Sequence, residues 1–389
     1  MLQDKILTAE LFIERLEIHT TFAGVESFWK EIQAAGFTTP YQTYDWTQSW
    51  VNALAEPLNI KPVFVLCFSK DDQLQALFPF GLQQKNGLKT ASFLGGKHAN
   101  FNLGLFTARA MEELTHADIL YIFQSIAKKH SIDLFLLDNQ PKHWNGLANP
   151  VAALESKPSP SSAWKAGLQS DGSAMIASLM SSESRKKMRH KQNKLSDFGS
   201  ISYVEARNAE QAQLILGAFF SQKAARFKLL GMSNPFAKQS VVAFLTNAAL
   251  EGLPDNQPAL SLYAMMAGER VLSVFGGSIH AGRFTGMFTS FDAEPAIAKY
   301  SPGDLLLMNL VTMMCEKGLH TFDLGTGEAN YKGDYCKTEE PLFDTLLPMT
   351  LKGRLMASIQ SAKQASKRWI KQSGPAMAVV QRLRQLRSR

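Results

Sequence analysis

The chain has 389 residues, 45% of them apolar and 19% charged, with 41 basic and 34 acidic side chains and three cysteines. At roughly 100 to 200 residues per domain this is material for two domains that bury their own cores, and it excludes a disulfide-built mini-protein, a collagen-like or coiled-coil rod, and wholesale disorder. The net charge of +7 is unevenly placed: ten basic residues and no acid lie in 351–389, leaving 31 basic against 34 acidic side chains before them. A nucleic-acid partner for the folded body loses its main support, because the basicity belongs to the tail.

No apolar run approaches the ~20 residues of a spanning helix, and the opening stretch is acidic and amphipathic rather than a signal peptide, so a cytoplasmic chain is expected. A helix is expected to about Gln33, and a second over 44–54 with Trp46 and Trp50 one turn apart. Residues 63–68 and 74–80 are β-rich runs joined by a polar turn, the pattern of a hairpin. A strand at 91–94, a helix over 112–130 and a strand at 134–137 complete a first α/β unit. The Pro- and Ser-rich segment 155–162 offers neither periodicity nor core and reads as a linker.

The second unit opens with a helix over 184–195 that carries a run of Arg and Lys. A strand at 201–204, helices over 209–227 and 235–250, and strands at 259–266, 270–277 and 283–291 follow. A helix over 304–317 closes at Gly318, a residue suited to the left-handed position after a helix. A strand at 321–324 comes next. Strands in succession, then helix, then strand, predict an α/β class with a mixed sheet. The expected domains are 1–160, 161–350 and a basic amphipathic tail at 351–389.

Two loops carry the chemistry. Ser301-Pro302-Gly303-Asp304-Leu305 opens a helix, where outward N–H groups and the helix dipole can receive phosphate; an ordinary capped helix is the plainer reading, and Asp304 has the wrong sign for an anion site. Asp323-Leu324-Gly325-Thr326-Gly327-Glu328-Ala329-Asn330-Tyr331-Lys332 brings an acid, a phenol and an amine into one glycine-bearing loop, the elements of a base, a proton donor and a charge clamp. The alternative is a polar turn in which Asp323 pairs with a neighbour. Cys67, Cys315 and Cys336 are expected as reduced core thiols. His98, His116, His143 and His190 have no ligand spacing, so no metal is expected. Ser278 and Ser290 lack the setting of a nucleophile, and His280 at a strand end is a weaker candidate base.

These blocks, together with the basic helix from Ser184, Phe219-Phe220-Ser221-Gln222-Lys223-Ala224-Ala225-Arg226 and Phe291-Asp292, resemble in order and spacing the CelD/BcsL-like branch of GNAT acyltransferases, which is linked to cellulose biosynthesis. The resemblance covers about 180–350, and Tyr44-Asp45-Trp46-Thr47-Gln48-Ser49-Trp50 and Phe93-Leu94-Gly95-Gly96 extend it into the first half. It implies tandem GNAT-like domains, an acetyl-CoA or other acyl-CoA donor, and a V-shaped opening between central strands of the second. By this resemblance Ser301, Pro302, Gly303, Asp304 and Leu305 hold the donor's pyrophosphate, although the loop has one glycine and no preceding Arg or Gln. Glu328 is then the base, Tyr331 the proton donor to the leaving thiolate, Asp323 the residue that orients the loop, and Lys332 the clamp on substrate carboxylate or phosphate. The implied function is N- or O-acyl transfer to an envelope polysaccharide, glycolipid or related amine.

Fem-type aminoacyltransferases share the tandem layout and use aminoacyl-tRNA, a donor the basic helix could serve; a non-catalytic, membrane-associated binding or assembly factor is the third reading. In the tail, Leu351, Leu355, Ile359, Ala362 and Trp369 recur at helical spacing among Lys and Arg, and Met377, Val380, Leu383 and Leu386 repeat the pattern. Such cationic amphipathic helices suit an anionic membrane surface, here the inner membrane face. The alternative is a terminal helix that packs its stripe on the body.

Overall fold

A computed structural model describes residues 11–34, 37–255, 257–327 and 330–372. They divide into two compact units, the first within 11–162 and 340–372, the second within 163–339. The described residues of each unit form one mixed sheet with helices against it.

Unit 1 begins with an edge strand, β1 (Ile13–His19), where a helix is expected. The reason is Asp118, wholly buried, whose carboxylate accepts the N–H groups of Phe12 (2.7 Å) and Ile13 (3.0 Å) and so fixes an extended chain start. Helices α1 (Glu26–Ala34) and α2 (Tyr44–Trp50) follow, the latter running into a π turn at Val51–Ala55. Strands β2 (Lys61–Ser69) and β3 (Leu74–Lys85) form the expected hairpin, and β4 (Leu88–Phe93) continues the meander. The short β5 (Leu105–Phe106) pairs beside β3. The expected 112–130 helix is two, α3 (Ala108–Glu113) and α4 (His116–His130), separated at Thr115, which builds a capping box with Asp118 and starts α4 afresh. Strand β6 (Leu134–Pro141) then lies parallel to β4 at Thr90–Leu134 and Ala91–Phe135. A small ribbon, β7 (His143–Trp144) with β8 (Leu147–Ala148), precedes β9 (Lys157–Pro158). The expected linker is therefore partly a strand, with Ser159 buried against Asp344.

Unit 2 starts at β10 (Ala163–Gly167), followed by α5 (Gly172–Leu179) and the basic α6 (Ser182–Leu195), which Ser181 caps through the Ser184 N–H. Strand β11 (Ile201–Glu205) leads to α7 (Ala209–Leu229) and α8 (Gln239–Leu250). Strands β12 (Ser261–Ala267), β13 (Arg270–His280) and β14 (Arg283–Phe291) form an antiparallel meander. After α9 (Pro295–Ala298) and α10 (Pro302–Glu316), β15 (Thr321–Thr326) lies parallel to β14; α11 (Asn330–Tyr335) and β16 (Thr338–Glu340) complete the unit. The core of the unit is the apolar face of α10, Leu305, Leu306, Leu310 and Met314, against Met265, Leu272, Phe284 and Phe322 of the sheet.

The two sheets repeat one plan. In each, three antiparallel steps lead to a parallel step, β4 to β6 and β14 to β15, and then to an antiparallel strand. That last strand is exchanged along the chain. Unit 2 receives β10, from before its own meander, and unit 1 receives β17 (Leu342–Pro348), from after unit 2. The expected second domain, 161–350, differs from this in that residues 340–350 belong to unit 1. Helix α12 (Leu351–Gln372) follows β17 and packs on β17 and β6. At Gly353 an added Cβ would stand 1.8 Å from the Asp133 carbonyl oxygen, so only glycine permits this approach. The second tail stretch, 377–386, lies outside the described residues.

Candidate active site

The parallel pairing of β14 with β15 lasts three residue pairs, ending at Thr285–Asp323. Beyond it each strand stays with its outer neighbour, β14 with β13 to Phe291 and β15 with β10 to Thr326, so the two diverge. Immediately past the last rung β14 carries a bulge: Gly277 faces Gly286 and Gly276 faces Phe288, leaving Met287 as the extra residue. Bulges release main-chain groups from the ladder and re-aim the strand. Residues 283–286 are buried and 287–289 only partly so. The mouth of a V therefore opens here.

Asp323 closes the apex of the V. Its Oδ2 accepts from Arg283 Nε (3.0 Å) and Nη2 (2.5 Å), and its Oδ1 accepts the Gly325 N–H (2.5 Å). Asp323 is fully buried and Arg283 is 6% exposed. Asp323 is a positioning residue that sets the strand pair and turns the loop. Lys332, expected as a clamp on substrate, is buried and donates to the Thr326 (2.6 Å) and Gly325 (3.3 Å) carbonyls. Burial lowers its pKa, and Asp323 opposes that shift. Its ammonium is thus engaged in holding the loop after β15.

Ser301 sits before α10 in the left-handed conformation, φ 52°, with no side-chain cap of its own. Instead its Oγ meets Lys191 Nζ of α6 at 2.8 Å. Pro302 has no N–H, and those of Asp304 and Leu305 both close on the Ser301 carbonyl. The Leu305 side chain is wholly buried in the core. Toward an anion, then, this helix start offers the Gly303 N–H and the Lys191 ammonium. Gly303 stands in open space, an added Cβ meeting only Phe291 Cδ1 at 3.8 Å. Burial raises the Asp304 pKa, while Lys191 opposes and Asp334 adds to the shift. Lys191 was missed in the sequence because its contact spans 110 positions; the signal that could have found it is the missing basic residue in the 301–305 loop combined with an unassigned basic helix.

Tyr331 and Tyr335 of α11 face the same helix start. Tyr335 donates to the Asp304 carbonyl (3.2 Å). Tyr331 is part-buried, and burial, then Cys336 and Asp304, raise its pKa above the ordinary phenol value. Glu328, expected as the base, lies outside the described residues. The Phe219 to Arg226 block packs α7 on β14: Phe219 stacks against Phe288 at 4.2 Å, and Gln222 joins Ser290 (2.7 Å) to the Val271 carbonyl (2.9 Å). Ser290 is thereby a packing residue. His280 lies at the closed end of the V, paired with Arg283 in the ladder, and burial lowers its pKa to about 4. It is not at the mouth.

The corresponding V of unit 1 is bridged by a loop, which leaves a cavity of about 320 Å³ lined by Ser92, Phe93, Asn102, Leu136 and Asp138. Asn102 donates its N–H to the Asn139 carbonyl (3.1 Å) and its amide to that of Asp138 (2.8 Å), both on β6, so residues 99–103 run across the opening. Cys67, Cys315 and Cys336 are buried free thiols. Among the described residues no group of three or more His, Cys, Asp or Glu is placed to hold a metal ion.

Comparison with protein families matches residues 182–333 to the acetyltransferase (GNAT) domain. The chain carries a GNAT-type acyltransferase domain. The matched span contains α6, the whole meander, α10, β15 and the start of α11, that is, every element of the open V. Among curated proteins nothing matches. Solved structures share the fold across both units. FemX has a TM-score of 0.58 at 9% identity, covering 86% of this chain and 98% of that one. The C-terminal DUF2156 domain of a proposed lysylphosphatidylglycerol synthetase from Agrobacterium fabrum gives 0.52 at 10%, covering 88% and 96%. A conserved protein of unknown function from Bacteroides thetaiotaomicron gives 0.53 at 10%, covering 86% and 100%. At these identities the likeness is one of fold.

Two outcomes are expected. Asp323→Asn leaves Arg283 buried beside a neutral partner and should cost about 3–5 kcal/mol of stability; in urea unfolding of the full chain, the double variant Arg283→Met, Asp323→Leu should lose less than either single change. For His280, the folded pKa of about 4 lies below the ~6.5 of the unfolded chain, so its share of stability is present above pH 6.5 and lost as pH falls toward 4. His280→Gln should therefore gain on the parent in thermal midpoint as pH is lowered through that window, and parallel curves would refute the assignment.

Proposed function

We propose that unit 2 transfers an acyl group directly from acyl-CoA, most simply acetyl-CoA, to an amine or hydroxyl of an envelope polysaccharide, glycolipid or related acceptor, in the manner of the CelD/BcsL-like branch. The observation that carries this reading is the V itself: it brings a strand bulge, a helix start with an added cation, and a part-buried phenol to one mouth. The pantetheine arm enters between β14 and β15, and its pyrophosphate rests on Gly303 and Lys191 at the start of α10. Lys191 supplies the cation that the 301–305 loop lacks, and it offsets the charge of Asp304.

Glu328 takes the proton from the acceptor as its nitrogen or oxygen attacks the thioester carbonyl carbon. The main chain at the Met287 bulge stabilises the resulting oxyanion. The C–S bond then breaks, and the Tyr331 phenol protonates the departing thiolate. Tyr331 is protonated at neutral pH and so has the proton to give, although burial makes its phenol a weaker acid than an exposed one. The acceptor is presented at the inner membrane face.

A second reading, with aminoacyl-tRNA as donor, draws on the other face of α6, where Arg185 and Arg189 line a cavity of about 380 Å³ with Gln192, Tyr203 and Asn309 and no carboxylate. Calorimetric titration separates the two. Acetyl-CoA and free CoA should bind the parent saturably, Gly303→Arg should abolish binding without unfolding the chain, and Lys191→Ala should weaken it about tenfold, the value of one charge-assisted hydrogen bond. Asp304→Asn should tighten it. Absence of CoA binding to the folded parent would overturn the acyl-CoA reading in favour of the second. With an acceptor in hand, Tyr331→Phe should lower kcat by about a hundredfold or more with KM little changed; an unaltered kcat would remove Tyr331 from the mechanism.

A further inference from the structure

Helix α12 is docked by its polar side. Gly353 lies against the Asp133 carbonyl, Lys157 donates to Ser361 (2.7 Å), Gln364 donates to Asp344 (2.9 Å), and Arg368 donates to the Pro158 carbonyl. The apolar stripe that a terminal helix would ordinarily bury is turned to solvent: Leu351 is 79% exposed, Leu355 68%, Ile359 42% and Trp369 66%. With Ala362 and Ser366 between them, these residues keep a spacing of three or four and form one face from Leu351 to Trp369, about 28 Å long. Lys352, Lys363 and Lys367, all exposed, recur along one border of that face. The helix holds six basic residues and no acid.

An exposed apolar stripe of this length is unfavourable in water and marks an interaction surface. Its charge identifies the partner. A second copy of the chain would bring two strongly cationic helices together without a counter-charge, whereas an anionic bilayer supplies both an apolar layer and phosphates beside it. Long lysine stems also let the ammonium groups rise to the headgroups while the stripe sinks. We infer that α12 is a docking element for an anionic lipid surface, with Leu351, Leu355, Ile359 and Trp369 entering the acyl boundary and Lys352, Lys363 and Lys367 on lipid phosphates. No described helix is long and apolar enough to cross a membrane, so this helix lies in the plane of the surface. The placement deepens the reading of a membrane-side acceptor but is tested without it, because binding to lipid needs neither donor nor acceptor.

The test is sedimentation of the full chain with phosphatidylcholine vesicles, with and without phosphatidylglycerol. Binding should be at least about tenfold stronger with phosphatidylglycerol and should weaken as salt is raised. The double variant Leu355→Glu, Ile359→Glu should abolish it, and Lys352→Gln, Lys363→Gln, Lys367→Gln together should reduce it at least about tenfold; both variants alter solvent-facing side chains and should keep the parental thermal midpoint and CoA affinity. Trp369 is the exposed tryptophan among residues whose other indoles are buried or part-buried. Its emission should therefore move to shorter wavelength on adding the anionic vesicles, a change lost in Trp369→Phe. Failure of the parent to bind anionic vesicles, binding that survives the double Glu variant, or light scattering that shows a dimer dissolved by that variant without vesicle binding would each overturn the inference.

Discussion

The Arg283 guanidinium and the Asp323 carboxylate meet, buried, where β14 and β15 make their last parallel rung. A parallel ladder of three residue pairs is a weak tether, and parallel pairing is the less stable kind per residue. The ion pair gives that ladder a fixed end. Asp323 then spends its second oxygen on the Gly325 N–H, so the residue that ends the pairing also turns the chain away. Divergence of the strands, the bulge at Met287, and the delivery of Tyr331 beside the start of α10 all follow from where that rung stops. A charge pair so deeply buried contributes little net stability, because desolvation offsets much of the attraction. Its value lies in registry: the pair is satisfied in one arrangement of the two strands.

The two units show what such a frame permits. Both have three antiparallel steps, one parallel step and a closing strand. In unit 1 the opening is bridged by Asn102 and its neighbours, hydrogen-bonded across to β6. In unit 2 a helix begins beside the equivalent divergence with an unusual left-handed serine. One backbone plan thus occurs twice with different surroundings at its opening, and the difference lies in a few polar side chains and in the loop that follows the fourth strand.

Much of this could be read from local pattern. The hairpin of β2 and β3, the meander of β12 to β14 and the Pro-Gly start of α10 depend on turns and periodicities within a dozen residues, and their ends fell close to expectation. What failed depended on distant partners. Residues 13–19 alternate too weakly to declare a strand, and Asp118, more than a hundred residues away, fixes their extended start by accepting the N–H groups of Phe12 and Ile13. Lys157 and Pro158 read as linker until Asp344 and Phe343 pair with them. At the site, the glycine-bearing loop and its phenol were visible in sequence, but the engagement of Lys332 with loop carbonyls was not, since a lysine's reach to a main-chain oxygen leaves no periodic trace. Lys191 was hidden for the same reason in reverse: a basic run reads as a solvated face, and only the fold turns one of its members inward.

The exchange of closing strands has a consequence for the order in which the protein can be made. As the chain leaves the ribosome, β1 to β6 emerge together, yet the place beside β6 stays vacant until residues 342–348 appear some two hundred residues later. In that interval Leu134, Phe135 and Leu137 border an unpaired edge, the kind of surface at which nascent chains associate. The first unit is therefore the last to be finished, and its completion waits on the synthesis of the second. Proteolytic loss or premature termination near the C-terminus would damage the N-terminal half first, which ties the survival of the whole chain to the integrity of its final segment.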